Sequence, residues 1–419
     1  HAWMVTTGDA WVSTIKTGIP FFNVYFAIMV TQDFTSNGSQ LTNSFGIYVH
    51  IPFCVHKCSY CDFYSFTKYQ QSDFNLFTQN LLKEIERSHQ FLRDWGYALP
   101  QVHSLFFGGG TPSLLPVEHL QSIIQNLKDR FKFSEDIEIT IEANPETVTP
   151  IFLERLKELT PVNRVSLGAQ SFSENNLKKL ERLGSRESIY AAVGLLKDFG
   201  YLDFNLDLIF AIPGQDKSQM LTDLDEVIAL SPTHVSAYNL SLKPGHSLFD
   251  KLPHDDDAAE LYEEMVKHLE NSGYQQYEIS NFAKPQASCK HNLLYWSGGD
   301  FLGLGPSAAS RIFKQKVFHH RKQWSDFGKY LNQSSFLEVP FESSTQKQTW
   351  LEATFLELRK NRGIDLDLFV ERYGYNPSLA KHFSLFQKEG LIAREGNHLK
   401  LTRKGRLLAD LVTERLVDS

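Results

Sequence analysis

The sequence predicts an α/β protein: an incomplete (β/α)6 barrel of the TIM type, followed by a mostly helical C-terminal domain that looks like a winged helix. Three observations predict it. Between residues 46 and 242, short apolar runs alternate about six times with amphipathic stretches of helical period, the pattern of βαβ units on a parallel sheet. The unusual residues of that region all follow apolar runs: the cysteines from Cys54, the glycines from Gly108, Glu142, Gln170 and Asp207. Parallel β/α folds place their chemistry on that rim. After Glu342 the texture turns helical, with one hairpin near the end.

The elements follow in order. Ile47 to Ile51 reads as a strand running into the cysteine loop, and Phe74 to Arg93 as a helix with Phe74, Phe77, Leu81, Leu82 and Ile85 on one face. Val102 to Phe107 is a strand ending in Gly108-Gly109-Gly110-Thr111-Pro112; Val117 to Phe131 is a helix; Ile137 to Ile141 is a strand ending at Glu142. The cycle repeats with helix 151–159, strand 162–167, helices 175–183 and 187–199, strand 202–210, helix 216–230 and strand 234–240. Six units are too few for a closed eight-fold barrel. Residues 243–342 read as a less regular extension with a helix over 257–272 and a glycine-rich stretch over 297–305. Helices over 349–360, 365–373, 379–389 and 403–416, with a hairpin over 391–401, make up the domain 343–419. No basic recognition helix stands out in it, so it is expected to pack or to meet a partner protein rather than DNA.

Residues 1–43 are set apart as an N-terminal extension. Their apolar run, Pro20 to Val30, is shorter than the ~20 residues that cross a bilayer, so no integral membrane segment is expected. The barrel then occupies 44–242. At a net charge of -7, the 419-residue chain generates no overall basic field, and nucleic acid is not an expected partner. Four cysteines in a chain of this length are not a disulfide framework, and a reducing, cytoplasmic setting follows.

Three of those cysteines share one loop, Cys54-Val-His-Lys-Cys58-Ser-Tyr-Cys61. Three thiolates bind three corners of a cubane [4Fe–4S] cluster and leave one iron open to chelate an amino and a carboxylate group. The close spacing lets one loop wrap the cluster with little closure entropy. The alternative is a zinc site completed by His56 or a distant residue, but structural zinc usually uses two paired half-sites and there is no second pair.

The loop, placed directly after the first strand with Tyr60 before its last cysteine, resembles the radical S-adenosylmethionine (SAM) superfamily. The string Tyr48-Val-His-Ile-Pro-Phe-Cys54 and the glycines 108–110 resemble its HemN and HemW group, over about residues 46–415. The resemblance implies a cluster on Cys54, Cys58 and Cys61, and SAM held by Tyr48, Tyr60, Gly109, Gly110, Thr111, Glu142, Gln170, Arg182 and Asp207. A cluster of this kind implies an electron donor.

Two activities occur in this group. The dehydrogenases decarboxylate propionates of coproporphyrinogen III to vinyls, and they carry a further cysteine two residues after the third; here that position is Phe63. His291-Asn292-Leu293-Leu294-Tyr295-Trp296 fits the His-Asn-x-x-Tyr-Trp string of the HemW side, which implies heme binding through His291, Tyr295 and Trp296 and delivery to acceptor proteins. A heme chaperone is the first reading and the dehydrogenase the alternative. Two departures stand out. Relatives often place His where this chain has Ala309, and Gly where it has Ala211. Cys289 reads as a small buried apolar residue rather than a heme thiol.

Overall fold

Alternation along the repeated strands decides the architecture. The structure, a computed structural model, describes residues 44–332, 339–406 and 408–417, so the extension over 1–43 lies outside the described residues. Six strands carry the repeat: β1 (Phe45–Ile51), β2 (Val102–Gly109), β3 (Phe133–Ala143), β4 (Arg164–Gln170), β5 (Phe204–Phe210) and β6 (His234–Asn239). One face of each is apolar and fully covered: Ile47 and Val49, Leu105 and Phe107, Ile139 and Ile141, Val165 and Leu167, Leu206 and Leu208, Val235 and Ala237. These side chains share one core with the apolar faces of α1 (Gln71–Asp94), α2 (Val117–Lys128), α3 (Pro150–Leu159), α5 (Arg186–Asp198) and α6 (Lys217–Leu230), while the short α4 (Glu174–Lys179) sits at the rim. Burying each such side chain is worth about 1.5–3 kcal/mol, so the outer layer carries much of the stability.

The intervening positions point the other way, because strand side chains alternate. They are Ser104, Glu138, Thr140, Glu142, Arg164, Ser166, Asn205, Asp207, His234 and Ser236. The inside of this barrel is therefore largely polar.

Strands β1 to β6 run parallel in sequence order. Residues 243–342, expected to be irregular, extend the same sheet at both edges. After helix α7 (Asp255–Asn271), β7 (Gln275–Gln276) and β8 (Asn281–Ala283) add an antiparallel hairpin to β6. Helix α8 (Lys290–Trp296) follows, and then β9 (Asp300–Leu304) joins β1 in parallel. β10 (Ala309–Lys314), β11 (Val317–Lys322), helix α9 (Phe327–Asn332) and β12 (Glu342–Ser343) complete the unit, giving the order β12-β11-β10-β9-β1-β2-β3-β4-β5-β6-β8-β7. The two end strands do not pair with each other, so the barrel stays open. The glycines of 297–305 concealed β9, whose Leu302 and Leu304 are fully buried.

The C-terminal region contains α10 (Gln346–Arg359), β13 (Ile364–Asp365), α11 (Leu366–Tyr373), α12 (Phe383–Lys388), the hairpin β14 (Ile392–Glu395) and β15 (His398–Leu401), α13 (Arg403–Arg406) and α14 (Ala409–Val417). The helix expected over 379–389 is a 3-10 turn, Pro377–Leu379, followed by α12, and the one expected over 403–416 is two segments. These elements have their own apolar core, which takes in Phe318 of β11 and so docks the region onto the sheet.

Candidate functional site

Most residues of the six strands are buried, yet solvent reaches a few positions, and these mark a concavity. They include Tyr48 on β1, Glu142 on β3, Gln170 at the end of β4, Asp207 on β5 and Tyr238 on β6. All except Tyr238 are site residues expected from the sequence.

The cysteine loop closes one side. Backbone bonds tie its ends, with Cys54 N donating to Phe66 O at 3.1 Å and Phe66 N to Pro52 O at 2.9 Å. Cys54 and Cys58 are buried and Cys61 is half-buried. Cys61 is pushed up to about 11, by burial first and also by the charges of Cys54 and Cys58, and burial likewise raises Cys58. Burial thus disfavours the thiolates of Cys58 and Cys61, and a cluster would offset that cost by exchanging protons for iron. Among the described residues no three Cys, His, Asp or Glu side chains are closed up at metal-ligand spacing, and the Glu181 carboxylate stands beside the loop, 3.2 Å from Ser59 N and 3.9 Å from His56 Nε2. The donor set fits an iron–sulfur cluster held by three sulfurs.

The glycine loop lies against this one. Gly110 N donates to Ile51 O and Thr111 N to Phe53 O, both at 2.8 Å. A Cβ on Gly110 would stand 2.6 Å from Phe53 O, so a side chain here would push the two loops apart. Thr111 Oγ1 lies 3.6 Å from Cys54 Sγ. Gly109 N donates to Glu142 Oε2 at 3.0 Å. Burial, and then Asp207, push Glu142 up to about 8 despite that bond. Burial also raises Asp207. A cationic ligand would favour the ionised form of both carboxyl groups and so offset the cost of burying their charge.

Arg182 joins three parts of the rim. Its guanidinium donates to Asn144 Oδ1 at 2.8 Å and Gly168 O at 2.9 Å, and it faces Tyr60 and Cys58. Tyr60 itself packs against the apolar group of Leu180, Ile209, Ile212, Leu240 and Leu242. Three residues of this network were not singled out from the sequence, although His50 lies inside one of its motifs. His50 accepts from Tyr48 OH at Nδ1 (3.0 Å) and donates from Nε2 to Tyr64 O (2.7 Å), linking β1 to the cysteine loop. Burial lowers it to about 4, so it stays neutral. Asn144 bridges Arg182 and Thr111, donating to Thr111 Oγ1 at 3.1 Å. Glu181, outside any motif, accepts from Ser59 N at 3.2 Å.

The histidine string lies elsewhere. It forms α8, lodged inside the barrel toward the N-terminal ends of β1–β3. Glu138 accepts from Lys290 N at 2.8 Å, from His291 N at 3.2 Å and from Cys289 Sγ at 3.2 Å. Close approach to β1 requires Gly46, where a Cβ would stand 2.4 Å from Leu294 Cδ2. His291 is fully buried, with Nδ1 2.8 Å from Ser104 Oγ and Nε2 2.9 Å from the Tyr295 hydroxyl. Its ring stacks on Phe106 at 5.2 Å. Neither nitrogen is offered outward here; Tyr295 is also buried, and Trp296 alone of the three is half-buried. Ala211 has φ +58°, which is why glycine suits that position. Cys289 is 1% exposed, a buried thiol as expected.

Comparison with known proteins matches these features. Residues 48–227 match the radical SAM superfamily and residues 344–408 the HemN C-terminal domain. Among curated proteins, the chain is 37% identical to the heme chaperone HemW of Escherichia coli over 323 residues, 73% of this chain and 83% of that protein. It is 33% identical to the one of Mycobacterium tuberculosis (strain H37Rv) over 384 residues, 89% of this chain and 95% of that protein. The Bacillus subtilis protein of the same name is 32% identical, with 87% and 97% covered. In fold it resembles the coproporphyrinogen III oxidase HemN of E. coli, described as a radical SAM enzyme, with a TM-score of 0.74 at 23% identity over 97% of this chain and 98% of that one. The chain therefore belongs to the radical SAM superfamily and, within it, to the HemW family.

Proposed function

We propose that this protein is a heme chaperone: it binds heme on a radical SAM scaffold and passes it to acceptor proteins in the cytoplasm. The observation that carries the reading is the likeness to curated heme chaperones over as much as 97% of their length. Phe63, at the position of the dehydrogenases' extra cysteine, supports it.

In this reading Cys54, Cys58 and Cys61 hold the [4Fe–4S] cluster. Tyr48, Tyr60, Gly109, Gly110, Thr111, Glu142, Gln170, Arg182 and Asp207 hold SAM. When bound and reduced by an electron donor, this pair supplies reductive cleavage of the sulfonium. The chain's own residues supply placement. Glu142 and Asp207 offer carboxylates to a cation, and the Gly109–Gly110 backbone admits a close ligand. His50 fixes the Tyr48 hydroxyl, and Arg182 steadies the cysteine loop against β3 and β4. His291, Tyr295 and Trp296 are the heme residues, with His291 reaching iron only once its bonds to Ser104 and Tyr295 open.

Anaerobic reconstitution tests the reading on one sample. About four iron and four sulfide per chain are expected, together with saturable heme binding and no conversion of coproporphyrinogen III. Conversion without heme binding would reverse the assignment in favour of the dehydrogenase.

A further inference from the structure

The concavity and α8 meet at one point, where the Tyr48 ring stacks on His291 at 6.4 Å, and a line of hydrogen bonds also joins them through the polar interior of the barrel. At the rim end, Asn205 Nδ2 donates to Asp207 Oδ1 at 2.8 Å. Asn205 Oδ1 lies 2.7 Å from His234 Nδ1, and His234 Nε2 lies 2.8 Å from the Tyr277 hydroxyl. Asn292 of α8 donates to that hydroxyl from Nδ2 at 3.3 Å. Asn205, His234 and Asn292 are 1%, 0% and 7% exposed and so shielded from water, while Asp207 and Tyr277 are half-buried.

The chemistry fixes its direction. A carboxylate only accepts, so Asn205 turns its NH2 toward Asp207 and its oxygen toward His234. His234 Nδ1 must then carry the proton, which leaves Nε2 as an acceptor for the Tyr277 O–H. The Tyr277 oxygen in turn accepts from Asn292. Side branches agree: Ser166 Oγ accepts from Asn205 Nδ2 at 2.8 Å, and Ser236 Oγ donates to Asn205 Oδ1 at 3.1 Å. Every orientation is thus tied to whether Asp207 is an anion, and successive hydrogen bonds in a largely buried line polarise one another.

We propose that Asn205, His234 and Tyr277 are positioning residues that couple the cationic-ligand site at Asp207 to the His291–Trp296 segment, so that SAM binding changes heme affinity. This rests on the heme-chaperone reading above. A cationic ligand at Asp207 holds it as a carboxylate, which strengthens Asn205's donation and, through His234, the grip of Tyr277 on Asn292, the third residue of α8.

The test is heme titration of the anaerobically reconstituted full chain, with and without saturating SAM, and SAM titration with and without heme. Wild-type heme affinity should change about 5- to 150-fold with SAM, the range of ordinary coupling between sites, and SAM affinity should change by the same factor with heme. Tyr277→Phe, which keeps the ring and removes the shared hydroxyl, should bring both ratios close to one while leaving each single-ligand affinity within about threefold, less than 1 kcal/mol. The ¹⁵N shifts of His234 in the wild type should report an Nδ1–H tautomer. No heme binding at all would sink the function itself. Heme binding with a wild-type ratio near one, a ratio that survives Tyr277→Phe, or an Nε2–H tautomer of His234 would overturn the coupling alone.

Discussion

The cysteine loop and α8 lie at opposite ends of the same parallel strands and are held in opposite ways. The loop hangs from backbone bonds at its two ends, with Val55 61% exposed and His56 and Lys57 facing solvent. Helix α8 has its first amides capped by Glu138, its histidine bonded at both nitrogens and its backbone pressed on Gly46. The difference teaches where each can respond to a ligand. The loop can close around a cluster without unpairing buried groups. Any ligand that draws His291 out must first break two buried hydrogen bonds, so heme capture there is linked to local opening of the core.

The sharpest way to break this comparison is Cys58→Ser. Bound iron and sulfide should be lost almost completely, while the unfolding free energy of the cluster-free variant differs from that of the cluster-free wild type by less than about 1 kcal/mol, because the loop contributes little to the core. Iron analysis beside a urea unfolding curve checks both. A large loss of stability would show that the loop is part of the fold's support.

His291→Ala should invert the pattern. It removes a fully buried ring and its hydrogen bonds to the hydroxyls of Ser104 and Tyr295, a cost of about 3–5 kcal/mol, with cluster assembly retained. Thermal unfolding and iron content of the same sample separate this from a ligand effect. If stability is unchanged and only heme binding falls, His291 is held far more loosely than its bonds indicate.

How legible these two regions were differs for the same physical reason. The loop was readable because its chemistry is local: three cysteines within eight residues, next to a strand. Glu142 and Gln170 were readable because each ends or nearly ends a strand, and the parallel fold carries all such ends to one rim; Asp207, in the middle of β5, was singled out through the family resemblance. The placement of α8 was not readable. His291-Asn292-Leu293-Leu294-Tyr295-Trp296 states residue types, but its burial depends on Gly46, Ser104 and Glu138, more than 150 positions away. The extension of the sheet by β9 was hidden likewise, since glycines at 298, 299, 303 and 305 read as loop until β1 is there to pair with. Nor did the polar inner face announce itself: Ser166, Asn205, His234 and Ser236 look like solvent-facing alternation until the sheet curls around them.

A milder probe acts on the rim's charge. Glu142 sits at about 8, above the usual carboxylate range, because it is buried beside Asp207. The folded state therefore holds this proton more tightly than the unfolded chain. The stability it contributes is fully present below the ordinary carboxylate range and is lost as pH rises through about 8. A cationic ligand favours the ionised form, so SAM affinity should rise with pH up to about 8, by at most about tenfold per unit. Glu142→Gln should flatten that profile. A profile unchanged by the substitution would mean that another group governs it.

The smallest effect concerns strain, which also divides the two regions. Gln170, Glu181 and Ala211 on the rim loops all adopt the left-handed conformation, with φ of 67°, 54° and 58°, whereas no residue of α8 does. For Ala211 this costs roughly 1–2 kcal/mol relative to the right-handed region. Glycine relieves it but gives the unfolded chain more freedom, which takes back about 0.4–1 kcal/mol. Ala211→Gly should therefore stabilise by about 0.5 kcal/mol and raise Tm by about 1 °C, with SAM affinity unchanged. The same exchange at Ala287, outside the rim, has no left-handed backbone to relieve and should lower Tm instead. If both substitutions destabilise alike, the rim loop is not strained, and the bend after β5 is held by its neighbours rather than imposed on Ala211.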